Sequence, residues 1–338
     1  MSSHARFYPL LLSVLALSTA CAGRAWQSPL ERAHPLAGKL WSVQQQRFVP
    51  FATMGEAARR ATFVLLGEKH DNADHHLFQA KVLRVLAAER PTAVVLEMLR
   101  PEQQDALERF LRAHPRDAAG LGTALDWANS GWPAWATYQP IAEAALNAGA
   151  PLRVGDAART TLRAVGQKGW AALPPGEPAR LGLDAELPEP ARKELLRELG
   201  ESHCGMMGPA AVQRMYGVER LRDASLADAM VQASRDRALV VLIAGNGHTR
   251  RDWAVPWYLA RRAPERGVLS ISPMEVRSGV TEPAAYLPRD AGARAYDYLW
   301  FTPRKDDADP CVGLREQMKR IKNRGIRNPP KPAIPATP

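Results

Sequence analysis

Four apolar residues, Phe63-Val64-Leu65-Leu66, run without a polar break into Gly67-Glu68-Lys69-His70. An apolar run this short, closed by glycine, reads as a buried strand. The acid, base and imidazole that follow then fall just past the strand's carboxyl end. In open α/β sheets that edge is where ligands and reactive groups collect. The pattern recurs. Ala93-Val94-Val95-Leu96 delivers Glu97-Met98, Leu152-Arg153-Val154 delivers Gly155-Asp156, and Leu239 to Ile243 runs into Gly245-Asn246-Gly247-His248.

Helical periodicity fills the intervals. A helix is predicted from near His75 to Glu89, with Phe78, Val82, Val85 and Leu86 on one face. Asp74 is its expected N-cap, and His75 and His76 are expected to face solvent at its start. Pro101 opens another helix through Leu107, Phe110 and Leu111, and a further one covers Ile141 to Asn147. This β-α-β rhythm predicts an α/β fold with a parallel-sheet core flanked by helices, the strands at Phe63–Leu66 and Ala93–Leu96 being parallel neighbours. Leu40 to Phe51 suggests a short strand pair, and Met54 to Arg60 a short helix. Residues 157–237 change character: helical segments broken by Pro174, Pro175, Pro188, Pro190 and Pro209 predict a smaller helical subdomain inserted into the sheet domain. The α/β pattern then returns, with a helix near Trp257 to Arg262 and strands at Val268 to Ile271 and Tyr296 to Phe301.

The two ends carry different information. Arg6, the apolar run Phe7 to Leu17, and Ser18-Thr19-Ala20 before Cys21 form a bacterial lipoprotein-type signal, with residues 1–20 removed and Cys21 lipidated. Leu17 lies four places before the cysteine instead of three. No other stretch is apolar enough to span a membrane. Residues 22–40 read as a linker, and 41–312 as the folded domain. The net charge of +10 comes largely from the basic, Pro-rich tail at 313–338. That placement argues against nucleic acid and for a solvated, disordered tail or one meeting an anionic surface such as lipid headgroups. With Cys21 lipidated, Cys204 and Cys311 remain in an oxidising compartment, either as one disulfide or as two buried thiols.

Glu68, His70, Glu97 and His248 form a mixed nitrogen and oxygen set at the strand ends. It suits a divalent metal such as Zn²⁺ or Mn²⁺, or acid–base work without one. An unpaired buried glutamate is costly, so Glu97 calls for a partner or a ligand. Asp156 is a weaker member of the set. His203 with Met206 and Met207 could line an apolar pocket. Trp127, Trp132, Trp135 and Tyr138 suit core packing or a platform for a flat aromatic ligand.

In order along the chain stand Leu66-Gly67-Glu68-Lys69-His70-Asp71-Asn72, Leu96-Glu97-Met98, Tyr138-Gln139-Pro140, Arg222-Asp223, Ala244-Gly245-Asn246-Gly247-His248, Trp300-Phe301-Thr302-Pro303 and Asp309-Pro310-Cys311. Together they resemble the ChaN-like haem-binding lipoproteins of bacteria, in the Tiki/erythromycin-esterase-like superfamily. The resemblance implies haem binding for iron uptake at the outer membrane of the cell envelope, with haem possible between two protomers of a homodimer. Candidates for holding it are His203, Tyr138, Tyr216, Met206 and His248. Other branches of the superfamily are metal-dependent peptidases and esterase-like hydrolases. Their shared positions fall here on Glu68, His70, Glu97 and His248, which would be the metal-binding and catalytic residues of a hydrolase.

Overall fold

The strands that end in acids and histidines belong to one eight-stranded sheet. The computed structural model describes residues 26–288, 295–309 and 311–316. In chain order its elements are β1 (Leu40–Ser42), β2 (Arg47–Phe48), α1 (Phe51–Arg60), β3 (Phe63–Leu66), α2 (Ala73–Ala87), β4 (Thr92–Leu96), α3 (Gln104–Ala113), α4 (Ala118–Ala124), α5 (Trp135–Asn147), β5 (Leu152–Val154), α6 (Arg159–Lys168), α7 (Glu177–Leu181), α8 (Glu189–Ser202), α9 (Pro209–Ala233), β6 (Leu239–Ile243), α10 (Val255–Arg262), β7 (Val268–Glu275) and β8 (Tyr298–Thr302). The sheet order is β2-β1-β8-β7-β3-β6-β4-β5. From β8 to β5 it is parallel; β1 joins β8 and β2 antiparallel. The segment expected to be a leader, with Cys21, and the tail at 317–338 lie outside the described residues. Among those described, no helix is long and apolar enough to cross a membrane.

The unbroken apolar runs are explained by burial on both faces. Val64, Leu66, Val94, Leu96, Val241 and Ile243 pack with α1 to α5 on one side. Phe63, Leu65, Ala93, Val95, Val240 and Leu242 pack with α6 to α10 on the other. Alternate residues therefore feed opposite layers, as the two-residue period of a strand requires.

One expectation about order needs correcting. β3 and β4 are parallel but not adjacent, because β6 lies between them and pairs with both: Val64 aligns with Val241, and Val94 also aligns with Val241. The strand sequences specify burial but not neighbours, and β6 arrives only after the helical segment.

The start of α2 differs in the same way. Its N-cap is Asn72, whose side chain accepts from the Asp74 and His75 backbone N–H groups. Asp74 instead accepts from the Gln27 and Ser28 N–H groups at 3.0 and 2.8 Å, fastening the segment ahead of β1 to the domain. His75 and His76 are 0% exposed and turn inward, contrary to the expected solvent-facing placement. His75 Nδ1 accepts from the Lys69 N–H at 2.8 Å, and its Nε2 lies 2.9 Å from the Thr302 hydroxyl. Helical periodicity could not reveal this, because the partners come from a loop and from β8.

The cysteine alternatives resolve as a disulfide between Cys204 and Cys311, with Cα atoms 5.7 Å apart. It joins the turn after α8 to the segment following β8, across 107 residues of chain.

Two outcomes follow for stability. Closing a loop of this length restricts the unfolded chain, so Cys204→Ser should lower unfolding free energy by about 2–5 kcal/mol. Urea denaturation of that variant and of reduced wild type should agree; an unchanged midpoint in both would show that the disulfide is energetically idle. For His75, burial and the neighbouring His76 charge lower its pKa from 6.5 to about 3. The unfolded chain therefore binds the proton more readily, and stability is lost as pH falls from about 6.5 toward 3. The thermal midpoint should drop across that window, with a shallower drop in His75→Gln.

Candidate functional site

The carboxyl ends of β3, β4, β5 and β6 bring Glu68, His70, Glu97, Asp156 and His248 to one edge of the sheet. All are sealed from solvent: Glu68 and Glu97 are 0% exposed, His70 and His248 1%, Asp156 2%. The two Gly-x-x-His turns interlock. A Cβ on Gly67 would stand 2.1 Å from Asn246 Oδ1, and one on Gly245 would stand 3.0 Å from His70 Nε2. Each glycine thus leaves the room that the other turn occupies.

Glu68 is the hub of the first half. Its Oε1 accepts from His70 Nδ1 at 2.7 Å and from the Tyr138 hydroxyl at 3.0 Å. Its Oε2 accepts from Gln79 at 2.9 Å and faces His76 Nδ1 at 3.2 Å. Burial alone would push this carboxyl up, but the His76 charge and the hydrogen bonds of His70 and His76 hold it far below the usual carboxylate range. Both His76 nitrogens face acceptors, Nε2 lying 2.9 Å from the His70 carbonyl. Burial opposes its charge, yet Glu68 raises its pKa above the ordinary value. With Nδ1 of His70 turned to Glu68, the ring's Nε2 faces the Gly245 turn. That nitrogen is buried without a hydrogen-bond partner, and the Trp132 ring closes over the imidazole at 4.8 Å.

Arg222 organises the second half. Its guanidinium reaches Glu97 Oε1 at 2.5 Å, Asp156 Oδ2 at 3.2 Å and Glu219 Oε2 at 3.4 Å. Asp156 also holds Arg100 at 2.9 Å. Glu97 Oε2 accepts the Gly245 N–H at 2.7 Å. His248 bonds Asp223 through Nδ1 at 2.7 Å, while its Nε2 stands 3.3 Å from Glu97 Oε1. Burial favours neutral forms, but the charges of His248, His70 and Arg222 hold Glu97 well below its ordinary range. Burial is likewise outweighed at His248, which Glu97 and Glu219 raise well above its usual value. Burial pushes Asp223 up to about 7.

Of the residues expected to act, the structure brings Glu68, His70, Glu97, His248 and Asp156 together. It places Tyr138 there too, as a hydrogen-bond donor 2% exposed and not as an open ligand. His203 caps the end of α8, with Nδ1 2.8 Å from the Leu199 carbonyl. Met206 is 36% exposed, so it does not line the apolar pocket expected of it. Tyr216 is buried at a cleft of about 580 Å³ lined by Trp170, Glu186, Arg192, Arg214 and Arg220. Sequence reasoning missed His76, Gln79, Arg100 and Glu219 as members of the centre. Arg222 and Asp223 were visible only as an ordered motif, and both face inward from α9. Among the described residues, the donor atoms that converge for a metal come from Glu219, Asp223 and His248. That set shares only His248 with the quartet read from the strand ends.

This parallel sheet, with its sealed acid–histidine edge and helical subdomain, defines a class of α/β protein. A family model described as haem-binding uptake, Tiki superfamily, ChaN matches residues 54–259. The chain belongs to that family. Its fold is similar to that of ChaN of Campylobacter jejuni, whose structure shows cofacial haem binding, with a TM-score of 0.61, 18% identity, and coverage of 77% of this chain and 95% of that one. An erythromycin esterase in its open conformation matches with a TM-score of 0.40 and 14% identity, over 80% of this chain and 99% of that one. No curated protein matches the sequence.

Arg222→Met would leave Glu97 and Asp156 short of a buried counter-charge. It should cost about 3–5 kcal/mol of stability, the usual scale for breaking a buried ion pair. Adding Glu97→Gln should recover part of that loss in urea unfolding. If the double variant were as unstable as the two losses added, the pair would not be coupled.

Proposed function

We propose that the protein binds haem in the cleft beside α9, with Tyr216 as axial donor, and serves haem and iron uptake at the bacterial outer membrane. The carrying observation is the Tyr216 hydroxyl, which is buried and lacks a hydrogen bond of ordinary geometry. Burial raises its pKa and the Arg220 charge only partly offsets this, so the phenol keeps its proton until a Lewis acid binds the oxygen and displaces it. Ferric haem supplies an iron with an open axial position, for which a tyrosine oxygen is a known type of donor. The rest of the cleft fits the same group. Trp170 offers a flat apolar wall, and Arg192 and Arg214 offer cations for carboxylates. Arg220 is already committed to Tyr258 and the Ala185 carbonyl, so it fixes the wall and does not reach outward.

Family membership supports haem as the ligand. The lipoprotein-type signal supports a lipid anchor at Cys21, and the disulfide is in keeping with an oxidising envelope compartment. A homodimer with paired clefts would follow the cofacial haem binding of the Campylobacter relative. A hydrolytic role for Glu68, His70, Glu97 and His248 is the second reading. Its basis is the bare, buried Nε2 of His70, and it requires the Trp132 ring to leave before any substrate can enter.

Haem titration should give a Soret band with charge-transfer features of tyrosinate ligation. Tyr216→Phe should remove those features and weaken binding by about tenfold or more, equivalent to about 1.4 kcal/mol. Retention of the full spectrum in Tyr216→Phe, with loss in His203→Ala, would move the ligand to the turn after α8.

A further inference from the structure

The segment ahead of β1 is fastened beside the outermost hairpin of the sheet. Asp74 holds the Gln27 and Ser28 N–H groups, and the Trp26 ring packs 5.8 Å from that of Trp300. A Cβ on Gly38 would stand 3.5 Å from Trp26, and Gly38 leads into β1. β2, paired with β1, is the last strand of the sheet. We infer that this hairpin is a membrane-docking edge, which rests on an anionic phospholipid surface through Phe48, Lys39 and Arg47. The inference rests on the lipid anchor proposed at Cys21.

Chain length is the first support. Five peptide steps separate Cys21 from Trp26, a reach of at most about 18 Å when fully extended. An acyl chain on Cys21 therefore keeps the β1–β2 edge close to the headgroups. Exposure is the second. Among the described residues, the large apolar side chains left exposed are Phe48, Met206 and Val312. Met206 and Val312 lie by the Cys204–Cys311 bridge, whereas Phe48, 43% exposed, stands on the edge strand near the tether. Its cross-strand partner Trp41 is buried and fixes the strand. An aromatic ring flanked by long cationic side chains is the composition that settles at a headgroup boundary.

Charge is the third. From Arg32 to Gly55 the chain has no Asp or Glu, while Lys39 and Arg47 stand exposed within it. Their contacts are with neutral groups. Lys39 Nζ lies 5.0 Å from the Phe48 ring centre, and Arg47 Nε donates to Gln45 Oε1 at 2.9 Å. Lys81, exposed on α2, lies over the Phe51 ring at 4.6 Å. By contrast, Arg59, Arg180 and Arg197 are each held by a glutamate. Cations without a carboxylate are drawn to anionic headgroups, each strengthening the contact about fivefold.

The test is hydrogen–deuterium exchange of the full chain, purified from membranes and reconstituted into vesicles. One set is phosphatidylcholine alone, the other an equal mixture with phosphatidylglycerol. The mass of the N-terminal peptide reports acylation of Cys21 on the same sample. Amides of residues 43–51 should exchange about fivefold or more slowly on the anionic vesicles, with α9 exchanging alike on both. Phe48→Ser combined with Arg47→Gln should abolish the difference; should that variant fail to fold, Lys39→Gln, which should reduce it, decides alone. An acylated Cys21 with equal exchange over 43–51 on both vesicles would overturn the docking edge and leave the anchor standing. Protection that is equal on both and rises with protein concentration would give the edge to a second copy and also overturn it. An unacylated Cys21 would overturn the anchor, and this inference with it.

Discussion

The guanidinium of Arg222 is the interaction on which the rest depends. Glu97 and Asp156 sit at the ends of β4 and β5 with no access to water, and unpaired carboxylates there would cost several kcal/mol each. Arg222 reaches both, and Glu219 as well. Because Arg222 lies on α9, the same contacts clamp that 25-residue helix across the carboxyl edge of the sheet. The placement of the helical subdomain, the wall of the Tyr216 cleft and the approach of Asp223 to His248 all follow from that clamp.

Much of the frame was legible because burial writes itself into composition. Phe63–Leu66, Ala93–Leu96 and Leu239–Ile243 could be read as strands because each faces two apolar layers, and the acids beyond them had to lie at one edge. The order of those strands was not legible, since β6 looks no different from a strand that would sit outside β4. His75 and His76 show the other limit. On a helix start, polar residues ordinarily meet water; here Lys69, Thr302 and Glu68 meet them instead, and two of those three are far away or across a loop. Arg222-Asp223 could not be placed from sequence for the same reason. A charged pair looks like a solvent face until the partners that neutralise it are known.

The centre and the cleft have different physical characters. At the sheet edge most polar atoms are committed, and the exceptions include His70 Nε2, His248 Nε2 and Asp223 Oδ2. Charge there is balanced internally and enclosed by Trp132. The cleft is open, aromatic and basic, and the Tyr216 hydroxyl lies buried at its wall without a hydrogen bond of ordinary geometry. A planar, doubly anionic ligand suits the second environment and not the first.

The most direct measurement is a crystal structure of the haem-loaded protein. The account predicts iron bonded to the Tyr216 oxygen, propionates at Arg192 or Arg214, and Arg222 still bridging Glu97 and Asp156. Iron bonded to His203 or His248, or a haem lodged at the sheet edge with Arg222 displaced, would contradict it.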